Sequence, residues 1–158
     1  MTTEPTINAS EETIGLGELG VRFLLTGEDT NGMVSLFELT VPAGDKLRAP
    51  THKNDAYEET LYGIEGVVTW TINGKAYEVG PGQSVCIPRG AEHRFENLGT
   101  VDAKQLTIIT PPIMGPAYFH DVVEVLKAST GGPPDPVKMV DVFKRHGMTI
   151  AAPPAAAR

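Results

Sequence analysis

The sequence predicts an all-β sandwich or barrel followed by two short C-terminal helices. Three observations point there. Short β-type runs are broken at regular intervals by turn residues, one pair of runs flanks an Asn-Gly turn, and the apolar period changes from two to about 3.6 near Phe119. Glycine and proline, 17 and 13 of 158 residues, both exceed ordinary usage, as a fold rich in tight turns requires.

Residues 1–13 read as a polar flexible lead. Val21–Leu25 and Met33–Val41 are two strand-like runs separated by the turn segment Gly27-Glu28-Asp29-Thr30-Asn31-Gly32. The second run alternates imperfectly, which predicts burial on both faces. Glu59–Ile64 follows, and Val67–Ile72 joins Lys75–Val79 through Asn73-Gly74, the preferred pair where both turn positions need positive φ. Gln83–Ile87, Glu92–Glu96 and Ala103–Thr110 complete the strands. Phe119, Val122, Val123 and Leu126 then mark one face of a helix that stops at Gly131-Gly132-Pro133-Pro134. Asp135 is an N-cap with Pro136 at the first helical position, Gly147 is the C-cap, and Val137, Val140 and Phe143 form the apolar side. The implied organisation is a barrel over 14–114, a helical pair over 115–150 packed on the barrel or on a partner, and a disordered tail over 151–158.

Composition excludes several classes. A net charge of -7 with no basic stripe argues against a nucleic-acid partner. No apolar run is long enough to cross a bilayer, and the N-terminus lacks the basic start and apolar stretch of a secretory signal, so a cytoplasmic protein without a membrane partner is expected. The lone Cys86 stands in the apolar run Ser84-Val85-Cys86-Ile87 and reads as a small buried core residue.

One segment carries more information than the rest: Gly82, then Pro88, Gly90, His93 and Asn97 at fixed spacing. Pro88 and Gly90 bend the chain and deliver His93 to the start of a strand, with Phe95 and Asn97 on its face. This pattern closely resembles the second sequence motif of the cupin superfamily. Upstream, Gly44, His52, Asn54, Glu59, Tyr62 and Gly66 resemble the first motif, with Asn54 where the family has its second histidine. The chain thus resembles the small single-domain bacterial cupins labelled quercetin-dioxygenase-like. The resemblance implies a double-stranded β-helix, or jelly roll, one central cavity and a homodimer.

It also implies a ligand set. Carried over by position, His52, Asn54, Glu59 and His93 would surround a divalent metal ion, Fe, Mn, Ni or Zn. Two imidazoles and a carboxylate bind one face of such an ion and leave positions open. Asn54 would add a weak carbonyl oxygen or hydrogen-bond a metal-bound water. Parity raises a question about the carboxylate, because Glu59 lies seven residues from His52 and an unbroken strand would point them apart. A turn or bulge near Asn54-Asp55 puts Glu59 inward, whereas a fully extended chain would select Glu58. Tyr57, Trp70 and Phe95 are candidates to line a cavity for an aromatic substrate. His120 and His146 are not read as ligands, and the helix dipole accounts for His146.

The leading functional expectation is a metal-dependent oxygenase acting on a small organic, possibly aromatic, molecule with Glu59 doubling as base. A metal-dependent isomerase or lyase and a non-catalytic small-ligand binder are the alternatives.

Overall fold

In the computed structural model, which describes residues 3–7, 12–44 and 50–152, two antiparallel sheets face each other and a helical pair closes one end. The chain enters through β1 (Ile14–Leu16), β2 (Leu19–Leu25) and β3 (Ser35–Val41), then β4 (His52–Asn54), β5 (Glu58–Glu65), β6 (Val68–Ile72) and β7 (Lys75–Val79). It continues through β8 (Ser84–Ile87), β9 (Glu92–Glu96) and β10 (Ala103–Thr110) to α1 (Pro116–Lys127), α2 (Pro136–Arg145) and β11 (Met148–Ile150). One sheet runs β1-β2-β3-β10-β5-β8 and the other β11-β4-β9-β6-β7. From β3 to β10 the chain crosses between the sheets at every step except the β6–β7 hairpin, and the architecture is the expected jelly roll.

Local chemistry sets the turns. Asn73 and Gly74 both hold positive φ, 48° and 80°, closing the β6–β7 hairpin. Gly63 permits the close approach of the Gly80–Pro81 backbone, since a Cβ there would overlap the Gly80 carbonyl. Asn97 closes the β9–β10 turn: its Nδ2 donates to Val41 O and Val101 O, and its Oδ1 accepts from Gly99 N. The last residue of the second motif is therefore a structural tie.

Several expectations change. β3 alternates cleanly, with Ser35, Phe37, Leu39 and Val41 buried, because its other side is not covered by a further layer. Ser35 reads as polar but is buried with Oγ donating to Met114 O. Cys86 is exposed: β8 is a sheet edge, and period two turns Ile87 inward and Cys86 out. In α2 the Asp135 cap is as expected, accepting from Val137 N and Lys138 N. Its buried side, however, is Val142 and Phe143, while Val137 and Val140 are 76% and 46% exposed. β1, β4 and β11 are three-residue strands too short for periodicity to reveal. The expected tail lies outside the described residues from 153 onward. α1 docks on the six-stranded sheet through Phe119, whose ring sits 5.8 Å from Phe23 and 5.4 Å from Phe37. Among the described residues no helix is long and apolar enough to cross a membrane.

Candidate active site

β4 and β9 pair with His52 directly opposite His93, so both imidazoles leave the same face of the five-stranded sheet. Their rings are 4.3 Å apart. Asn54, two residues on, shares that face and is fully buried. The chain then bends at Asp55-Ala56, and β5 crosses to the other sheet. That break resolves the parity question. Glu59 is buried and faces the histidines across the barrel, while Glu58 points outward to Arg89 at 2.9 Å.

Three of these side chains converge on one atom. Glu59 Oε2 accepts from Asn54 Nδ2 at 3.0 Å and lies 3.4 Å from His93 Nε2. Burial pushes the Glu59 carboxyl upward, but His93 and the Asn54 hydrogen bond outweigh it and hold the group below its ordinary range. For His93 burial pushes downward, and Glu59 overrides it and keeps the imidazole above its ordinary value. Both shifts run in the direction that favours a carboxylate facing an imidazolium. His52 is the opposite case: burial, reinforced by His93, lowers it to about 4, so it is neutral at physiological pH.

The donor chemistry fits a divalent ion. His52 Nδ1 lies 3.0 Å from Pro50 O and His93 Nδ1 lies 2.9 Å from Ala91 O. A carbonyl there fixes Nδ1 as the N–H donor when the ring is neutral, leaving Nε2 as the ligating nitrogen. His93 Nε2 and Asn54 Oδ1 are buried without a hydrogen-bond partner. Among the described residues, however, no three His, Cys, Asp or Glu side chains are gathered closely enough to hold an ion as they stand. His52, Glu59 and His93 would have to draw together around one.

These three groups form the polar floor of a cavity of about 540 Å³ whose walls are otherwise apolar. Trp70 and Phe95 continue the floor, as expected, with rings 5.0 Å apart, and Trp70 Nε1 donates to Gln105 Oε1 at 3.0 Å. Tyr57 does not reach the cavity. It is fully buried in the bend between β4 and β5, and its hydroxyl has no hydrogen-bond partner. Burial and the nearby Glu59 charge push that phenol far up. The helical pair supplies walls that sequence reading did not assign: Tyr118, Phe119 and Val122 from α1, Met139 and Phe143 from α2. Their only sequence signal was an apolar helix face needing cover. His120 is not among the lining residues, and His146 Nε2 lies 2.7 Å from Asp121 Oδ2, a cross-helix contact beyond the expected dipole role.

Comparison with known proteins agrees with this architecture. The cupin domain family model matches residues 37–109. An uncharacterized protein of Methanocaldococcus jannaschii is 36% identical over 93 residues, covering 59% of this chain and 69% of that protein. The tetracenomycin polyketide synthase protein TcmJ of Streptomyces glaucescens is 29% identical over 106 residues, 66% and 68% of the two chains. Among solved structures, one described as a predicted oxalate decarboxylase from Thermotoga maritima has a TM-score of 0.58 at 24% identity, covering 67% of this chain and 98% of its own. Ectoine synthase from P. lautus has a TM-score of 0.56 at 23% identity, with 73% and 79% covered. At these identities the structural likeness speaks to the fold.

Proposed function

The chain belongs to the cupin family, and from that premise we propose that it is a metal-dependent enzyme acting on a small, neutral and largely apolar organic molecule, aromatic in character. One observation carries the reading. A cavity of about 540 Å³ is walled by aliphatic and aromatic side chains, and among the described residues its ionisable groups are His52, Glu59, His93 and the Tyr118 phenol. Its size suits a ligand of drug-like dimensions. The described lining holds no Lys or Arg, and its apolar walls favour a carbon-rich ligand over a heavily charged one. The relative named for tetracenomycin polyketide synthesis supports a carbon-rich substrate.

His52, Glu59 and His93 would hold the divalent ion, which when bound supplies Lewis-acid polarisation at its open positions. The two-His, one-carboxylate set favours an oxygenase. The remaining residues orient and isolate the substrate: Trp70 and Phe95 offer flat faces beside the histidines, and the helical walls exclude water. A second reading, an isomerase or lyase, is favoured by one feature. Glu59 Oε2 lies 3.4 Å from His93 Nε2 on the cavity floor, so with no ion between them the carboxylate and imidazole stand as an acid–base pair beside a bound substrate.

Two measurements test the proposal. Elemental analysis of protein purified without a chelating tag should find close to one divalent ion per chain, and almost none in His93→Ala. Equal, negligible metal in both would end the metal reading. Calorimetric titration should show 1-naphthol binding and no heat with glucose 6-phosphate. The reverse order of affinities would sink the apolar-substrate reading.

A further inference from the structure

The C-terminal strand hydrogen-bonds to the strand that carries His52, and the helix before it lays an aromatic ring on that imidazole. β11 pairs with β4 so that Ile150 stands opposite His52 and Met148 opposite Asn54. Ala151 N donates to Thr51 O and Asp55 N donates to Gly147 O, both at 2.8 Å, tying the segment down on both sides. From this anchored segment Phe143, 4% exposed, stacks on His52 with ring centres 5.4 Å apart and planes at 19°. Phe143 is backed in turn by Tyr118 at 5.8 Å.

The stack matters because the backbone of β4 sets where the His52 side chain leaves the sheet but not how its ring is turned, which the packed neighbours decide. Among the described residues the His52 ring is restrained by the Pro50 carbonyl on Nδ1, the His93 ring at 4.3 Å, and Phe143. The first two come from within residues 37–109, the segment the family model covers. The third does not. A hydrogen bond at Nδ1 leaves the ring free to swing about that contact, and a nearly parallel aromatic face removes the swing.

We propose that Phe143 is a positioning residue for His52, so that α2 and β11 are part of the functional site and not a cover laid over it. Removing the ring frees the imidazole to sample other orientations and to lose the Pro50 contact, and Nε2 is then no longer presented beside His93. The inference shares with the proposed function the premise that His52 Nε2 is a working donor, but it concerns the ring's orientation and is readable with no ion bound.

The test is NMR of protein labelled with ¹⁵N in its histidine rings, at neutral pH. Wild type is expected to show one neutral tautomer for His52, protonated on Nδ1, and cross-relaxation between the ring protons of His52 and Phe143. In Phe143→Leu the His52 nitrogens should average between tautomers, and divalent-ion affinity should fall about tenfold, the lower end for loss of an orienting partner. Phe143→Tyr should restore both. Val142→Ala, altering a neighbour that is 1% exposed, should lower the melting temperature and leave the His52 pattern intact. A single unaltered tautomer in Phe143→Leu, or no His52–Phe143 cross-relaxation in wild type, overturns the proposal. Should Phe143→Leu fail to fold, the wild-type cross-relaxation decides alone. If wild type takes up no ion, the metal reading fails separately while the tautomer pattern still decides the role of Phe143.

Discussion

At the scale of single residues, Asn54 separates this chain from the first-motif pattern it otherwise follows. Its amide nitrogen donates to Glu59 Oε2 at 3.0 Å and its oxygen is buried without a partner. The side chain therefore holds the carboxylate in place, adds to the downward shift that His93 chiefly causes, and offers at most a weak oxygen to an ion. Replacing the amide with an imidazole adds a strong nitrogen donor at a fully buried position. Asn54→His is expected to tighten divalent-ion binding by about tenfold in a calorimetric titration, the scale on which ligand-shell changes act. Unchanged affinity would mean that residue 54 does not face the ion. The residues that could be named from sequence here were those fixed by motif spacing, His52, Asn54, Glu59 and His93. The direction of Tyr57, fully buried and outside the cavity lining, was not legible because a turn residue between two strands has no period from which to read it.

At the scale of elements, the helical pair is held together by a small charged cluster. Asp121 of α1 accepts from His146 Nε2 at 2.7 Å and from Arg145 Nη1 at 3.0 Å, just past and at the end of α2. The His146 hydrogen bond, with Arg145 beside it, holds the Asp121 carboxyl below its ordinary value of 3.8. An acid whose folded pKa is depressed contributes stability above its unfolded pKa and loses it as pH falls through the folded one. Asp121→Asn should therefore melt below wild type at pH 5 to 6, with the gap closing as pH falls under 3.8. The gap should be small, since the Asp121 side chain is 34% exposed and screened. A gap that widened in acid would show that the cluster is not what joins the helices. Both helices were legible from apolar period and capping chemistry. Their partners were not, because Asp121 and His146 lie 25 residues apart and nothing in local sequence couples them.

At the scale of the whole molecule, the cavity is a joint product of both sheets and the helical pair. Its polar floor comes from β4, β5 and β9, and its far walls come from α1 and α2. Val122 is 6% exposed and lines it from α1. Val122→Phe fills part of the volume while keeping the wall apolar, so 1-naphthol affinity should drop about tenfold, near 1.4 kcal/mol, with the fold retained by circular dichroism. Val137→Ser, on the exposed side of α2, should leave affinity unchanged. Equal effects from the two variants would place the ligand elsewhere.

The sequence by itself determined the jelly roll, the bend that brings His93 inward, and the family positions at which a site would form. These depend on turn chemistry, period and motif spacing, all of which are local. Only the tertiary structure decided that Cys86 lies outside, that the described cavity lining is almost wholly apolar, and that Phe143 rests on His52. Each of those follows from packing between segments far apart in the chain, where which face is covered depends on what arrives to cover it.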